Sequence, residues 1–131
     1  MNEAPEDLVH AATAARENSV SPFSSFKVGS ALRTDAGVIY AGCNVENATL
    51  GLTVCAERVA LWKAMSEGAR AFTEIAVVTA AERPTPPCGA CRQLLWEFCG
   101  DIPVFMVSTL GKRARLQLSE LLPYAFDKRD L

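Results

Sequence analysis

The chain has 131 residues, 50% hydrophobic and 21% charged, with a net charge of −2 at neutral pH. That length suits one ordinary core, so residues 1–131 read as a single α/β domain. The acidic balance argues against a surface built to hold nucleic acid, which calls for a basic stripe, and no run approaches the ~18 apolar residues of a membrane span.

Residues 5–18 read as an amphipathic helix with Leu8, Ala11, Ala12 and Ala15 on one face; Pro5, Glu6 and Asp7 suit its first turn. Residues 26–33 and 38–43 flank Thr34-Asp35-Ala36-Gly37 and predict a β-hairpin. A second helix is expected over 55–67, with Thr53 as its N-cap and Gly68 just past its end. Residues 75–79 form a short apolar run of strand character. Residues 82–87 carry three prolines and read as a loop. Residues 88–99 predict a helix ended by Gly100, 102–108 a buried strand, and 118–122 a short final helix. The basic cluster at 112–115 reads as a solvated turn. This order implies a mixed sheet with helices packed on it, and strand–helix–strand units of this length favour parallel pairing.

The chemistry concentrates in Cys55-Ala56-Glu57 and Cys88-Gly89-Ala90-Cys91. Both groups fall at predicted helix N-termini, where the dipole and free N–H groups favour thiolates. Cys88 and Cys91 are three apart, so both sulfurs face one side of their helix. Three thiolates leave one position of a tetrahedral zinc open, which a catalytic site requires, and Glu57 is a carboxylate free to move protons. A redox dithiol and a closed structural zinc are the competing readings. The closed site needs a fourth ligand, and His10, Cys43 and Cys99 have no ligand-like spacing. Three thiolates on Zn²⁺ leave the site negative. Arg58 is the offset expected near the sulfurs, with Gln93 a second candidate. Five cysteines, an odd number, and an acidic start without the order of a signal peptide point to a reducing, cytoplasmic setting.

The runs FKVGSAL (26–32), GCNVENA (42–48), LTVCAER (52–58), CGACRQ (88–93) and LLPYAF (121–126) together resemble the cytidine deaminases, over nearly the whole chain. The resemblance is to the short, homotetrameric branch with three cysteines. It implies a three-layer α/β/α sandwich around a five-stranded mixed sheet and one Zn²⁺ per subunit, held by Cys55, Cys88 and Cys91. It implies hydrolytic deamination of cytidine and 2′-deoxycytidine, with Glu57 moving protons between water, N3 and the leaving amine. It also implies that Ala56 N–H holds the base edge, that Phe26 lies against the base, and that Asn44 and Glu46 hold the ribose 3′-hydroxyl. Phe126 resembles the aromatic that closes a neighbouring subunit's site. The partners implied are a nucleoside and further copies of the chain, with no nucleic acid or membrane. The alternative is a deaminase of modified cytosine nucleosides or of a blasticidin S-type antibiotic. Two positions depart from the family: Phe23 stands where Tyr is common and Leu50 where an aromatic is usual. Leu50 is expected to open space near the nucleoside and to admit bulkier cytosine compounds.

Overall fold

The hairpin expected around Gly37 forms one edge of a five-stranded sheet in a computed structural model that describes residues 3–131. Its strands, β1 (Val28–Thr34) and β2 (Ile39–Cys43), pair antiparallel from Gly29↔Cys43 to Arg33↔Ile39. Thr34 N–H donates to Val38 O at 2.8 Å, and Gly37 N–H donates to Thr34 O at 2.9 Å. Gly37 turns the chain at φ 86°, a left-handed value that lacks the Cβ penalty only for glycine. Helix α1 (Glu6–Arg16) precedes the hairpin. After it come α2 (Ala56–Ser66), β3 (Phe72–Thr79), α3 (Gly89–Cys99), β4 (Pro103–Ser108), β5 (Arg113–Gln117) and the single turn α4 (Leu118–Leu121). The sheet order is β2-β1-β3-β4-β5, with β3 and β4 parallel and every other pair antiparallel. Only the pair joined through α3 runs parallel, because a parallel partner needs a long crossover.

Side-chain alternation along the strands sorts the core into two layers. Leu32, Ile75, Val104 and Met106 pack with Ala60, Leu61 and Ala64 of α2 and Leu95 of α3. Their neighbours Ala31, Ala76, Val78, Phe105 and Val107 pack with Leu8, Val9 and Ala12 of α1 on the opposite face. The result is the expected α/β/α sandwich with a five-stranded mixed sheet. Leu8, Leu61 and Leu95 are fully buried, each worth about 1.5–3 kcal/mol of apolar transfer. Helix α1 is also held by charge: Arg33 donates to Asp7 at 2.7 and 3.0 Å and to Glu74 at 2.6 Å.

Two glycines set how closely helices approach the sheet. A Cβ on Gly29 would lie 1.9 Å from Ala12 O, and one on Gly42 would lie 2.7 Å from both Ala60 N and Val59 Cγ1. No side chain fits between these backbones, so α1 and α2 seat directly on β1 and β2.

The structure corrects three expectations. The basic cluster is no turn: Arg113 and Arg115 belong to β5, an edge strand against β4. Arg113 pairs with Glu6 at 2.7 Å, and the Arg115 guanidinium lies 5.9 Å from the centre of the Phe105 ring. The segment RARLQ does alternate, with Ala114 and Leu116 between Arg113, Arg115 and Gln117, and its three polar residues hid that period beside Lys112. Second, Thr53 is not the cap of α2. Cys55 occupies that position, as Cys88 does for α3, each with extended backbone. The Thr53 hydroxyl accepts from Asn47 N–H at 3.0 Å instead. Third, Phe26 and Lys27 precede β1 and belong to the loop that enters it.

Candidate metal centre and substrate cleft

The sheet edge where β1 begins and β2 and β3 end also receives the N-termini of α2 and α3. Val28 pairs with Thr79, and Gly29 with Cys43, so Asn44 and the loop after Thr79 emerge side by side. Segment 44–54 is pinned there by reciprocal Val45–Val54 backbone bonds, both 3.0 Å, and by Val20. A cleft of about 250 Å³ opens at this edge, with Phe26, Asn44, Glu46, Cys55, Ala56, Glu57 and Cys88 among its walls. A larger hollow, about 530 Å³, lies along Tyr124, Phe126 and Arg129 and contains no thiol.

Cys55, Cys88 and Cys91 come together from the two helix N-termini, their Sγ atoms all within 4.8 Å of one another. His10, Cys43 and Cys99 stay outside this cluster. Cys55 Sγ and Cys88 Sγ are 3.9 Å apart, and every cysteine is free. A disulfide would require about 2.05 Å. Two sulfurs on one tetrahedral zinc, each at about 2.3 Å, lie about 3.8 Å apart. The cluster therefore has the dimensions of a three-sulfur zinc site. Its charge also asks for a cation. The Cys91 hydrogen bond, and then Arg58, hold the Cys55 thiol down at about 5 against burial. The same contact, together with burial, drives Cys91 upward. Neighbouring thiols at this range can all ionise only with positive charge between them.

Arg58 supplies part of that charge: its Nη2 donates to Cys55 Sγ at 3.4 Å. Its Nε is buried and meets no acceptor among the described residues, while the residue as a whole is half-buried. Gln93 differs from expectation, because its Nε2 donates to Phe126 O at 2.9 Å and not to a sulfur.

Glu57 is 5% exposed, in the first turn of α2 two residues from Cys55. Burial pushes its carboxyl up to about 7, the Cys55 charge adds to the rise, and Arg58 opposes it. Such a group can both hold and release a proton near neutrality. Ala56 precedes it at the helix start, where N–H groups lack intrahelical acceptors, and is one of the residues lining the cleft.

Asn44 and Glu46 do share the cleft wall, yet most of their bonding capacity is used within the chain. Asn44 Nδ2 donates to Phe26 O at 2.8 Å, and its Oδ1 accepts from Val28 N–H at 2.9 Å and from the Ser19 hydroxyl. One amide N–H is left. Glu46 Oε1 accepts from Phe23 N–H at 2.9 Å and Ser24 N–H at 3.1 Å, and Oε2 accepts from the Ser24 hydroxyl. Phe126 does not join them. It lies 59% exposed on a tail tied to α3 by Gln93 and by a Trp96–Asp127 bond of 3.0 Å. Leu50, 75% exposed, borders a separate hollow that shares Ser24, Glu46 and Thr53 with the cleft. Sequence reading missed Ser24, Thr53, Val77, Thr85 and Pro86 as wall residues. Thr85-Pro86 just ahead of Cys88 and Thr53 just ahead of Cys55 were available signals; Ser24 and Val77 reach the wall only through folding.

Residues 2–107 match the cytidine and deoxycytidylate deaminase zinc-binding region. The chain belongs to that family. It is 46% identical to the cytidine deaminase of Sporosarcina psychrophila, over 96% of this chain and 93% of that one. It is 48% identical to that of Halalkalibacterium halodurans, over 95% of each. The crystal structure of cytidine deaminase from Burkholderia pseudomallei superposes with a TM-score of 0.90 at 44% identity, covering 95% of this chain and all of that one. The blasticidin-S deaminase of Bacillus cereus is more distant, 31% identical over 77% of each chain. Zinc is thus the cofactor of the family and the ion whose dimensions the three sulfurs fit.

Proposed function

We propose that the protein hydrolyses cytidine and 2′-deoxycytidine to the corresponding uridines with release of ammonia. The observation that carries this reading is a buried Glu57 carboxyl beside the three-sulfur cluster, in a cleft whose other walls are Phe26, Asn44 and Glu46. Cys55, Cys88 and Cys91 hold the zinc, which when bound supplies Lewis-acid activation of water. Arg58 offsets the excess thiolate charge and orients Cys55. Glu57 takes a proton from the attacking water and delivers it to N3. It then takes the remaining proton from the hydroxyl added at C4 and delivers it to the 4-amino group, which leaves as ammonia as the C4 carbonyl forms. Ala56 N–H orients the base edge and the Phe26 ring packs on the base. The remaining amide N–H of Asn44 and the free lone pairs of Glu46 hold the ribose hydroxyl.

Phe126 serves a neighbouring copy in this reading, in a homotetramer with shared sites. Its exposure, with that of Tyr124, on a tail strapped away from its own cleft supports this. Leu50 on the adjoining hollow supports tolerance for bulkier cytosine nucleosides. Pyrimidine salvage in the cytoplasm is the setting that goes with the reaction; no helix among the described residues is long and apolar enough to cross a membrane.

The test is ammonia release from cytidine, 2′-deoxycytidine and blasticidin S by the zinc-loaded protein, with Glu57→Gln beside it. Turnover of both cytosine nucleosides is expected, reduced by about 10²–10⁴ in Glu57→Gln with zinc retained. Turnover of blasticidin S alone would favour the antibiotic deaminase. No turnover of any of the three by wild type, with zinc still required for folding and Glu57→Gln folding unchanged, would make the site a structural zinc module.

A further inference from the structure

Phe26 faces the cleft from a loop without regular structure, and the chain must hold that loop still for the ring to serve as a wall. The loop contains a backbone outlier: Ser25 has φ 60°, a left-handed value that residues with a Cβ rarely adopt. Such a conformation persists where surrounding contacts over-determine it. Here those contacts converge on Ser24. Its hydroxyl donates to Glu46 Oε2 and accepts from Phe26 N–H at 3.0 Å. Its own N–H and that of Phe23 converge on Glu46 Oε1. Ser25 N–H closes the turn on Ser21 O at 3.0 Å. From the far side, Asn44 Nδ2 fixes Phe26 O. The Ser24 hydroxyl is thus the link between the Glu46 carboxylate and the Phe26 backbone, and its only proton is committed to Glu46.

We infer that Ser24 is a positioning residue for the nucleoside cleft, whose hydroxyl locks the base-side ring of Phe26 to the sugar-side carboxylate of Glu46 as one unit. The inference rests on the cytidine reading of that cleft. Ser24 acts through its two neighbours and not on the reacting atoms. The Ser24 hydroxyl is also the main reason why the Glu46 carboxyl sits below its ordinary range, so the anchor of the loop stays ionised at neutral pH. Ser24 is exposed and outside both helices and strands, so its side chain can be altered without disturbing the core.

Steady-state kinetics on cytidine with Ser24→Ala, Ser24→Thr, Glu46→Gln and the Ser24→Ala/Glu46→Gln double variant test the lock. Ser24→Ala should raise KM about tenfold, the scale of one hydrogen bond to a charged group, and leave kcat within about threefold and Tm unchanged. Ser24→Thr, which keeps a hydroxyl, should return KM to near the wild-type value. In the Glu46→Gln background Ser24→Ala should add little, because the partner it acts through is already altered. An unchanged KM in Ser24→Ala, full additivity in the double variant, or no rescue by Ser24→Thr would overturn the inference while leaving the deaminase reading intact. Absence of wild-type turnover of cytidine would overturn both.

Discussion

Gly42→Ala offers a direct test of how packing sets the catalytic geometry. The added Cβ would lie 2.7 Å from Ala60 N and Val59 Cγ1 and 2.8 Å from Val59 Cβ. Ordinary contact is about 3.5–4.0 Å, so α2 must withdraw from β2 by about 0.7–1.3 Å. Gly42 stands two residues before Asn44, and Val59 two residues after Glu57. The withdrawal therefore separates Asn44, on the wall proposed to hold the sugar, from the helix that carries Cys55 and Glu57. Overpacking of this kind costs about 1–3 kcal/mol of stability. A misplacement of about 1 Å at reacting groups costs on the order of 100-fold in rate. Urea unfolding and kcat/KM for cytidine should both fall, with Gly51→Ala as the control, since a Cβ there meets nothing within 4 Å. A Gly42→Ala protein within about 0.5 kcal/mol and about twofold of wild type would refute the claim that this contact sets the site.

Removing zinc with a chelator should lower Tm by several degrees and expose Cys55 and Cys88 to a thiol reagent, because a ligand bound only by the folded chain stabilises it by mass action. Equal thiol reactivity before and after chelation would argue against these cysteines as ligands. Acid should loosen α1. Asp7 and Glu6 are held below the ordinary carboxylate range by hydrogen bonds from Arg33 and Arg113. Groups with depressed folded values stabilise above their unfolded values of about 4, and that contribution disappears as pH falls through the folded values. Melting followed from about pH 6 to about pH 3 should therefore show a shallower decline for Asp7→Asn than for wild type, and identical slopes would remove Asp7 from the account.

The legible parts of this chain were those where local pattern and tertiary role coincide. Gly37 after Thr34-Asp35 announced its hairpin because a left-handed turn calls for glycine. Continuous apolar runs at 75–79 and 102–108 announced buried strands because both faces of the sheet are covered. Cys55, Glu57, Cys88 and Cys91 were legible because zinc chemistry restricts both residue type and spacing. β5 was not read, because the two arginines beside Lys112 suggested a solvated turn and masked the alternation of Ala114 and Leu116 that pairs along β4. The true helix caps, Cys55 and Cys88, escaped capping rules because their side chains meet in the three-sulfur cluster and make no cap bond to their own helices. The resemblance to the deaminases, and not residue type alone, pointed Asn44 and Glu46 at a sugar hydroxyl. Tertiary structure decided that both also hold the Phe26 loop through Ser24, Phe23 and Val28. It decided equally that Gln93 ties down the tail and that Phe126 lies outside its own cleft. Those outcomes depend on which backbone groups remain unsatisfied after folding, and only the packed chain determines that.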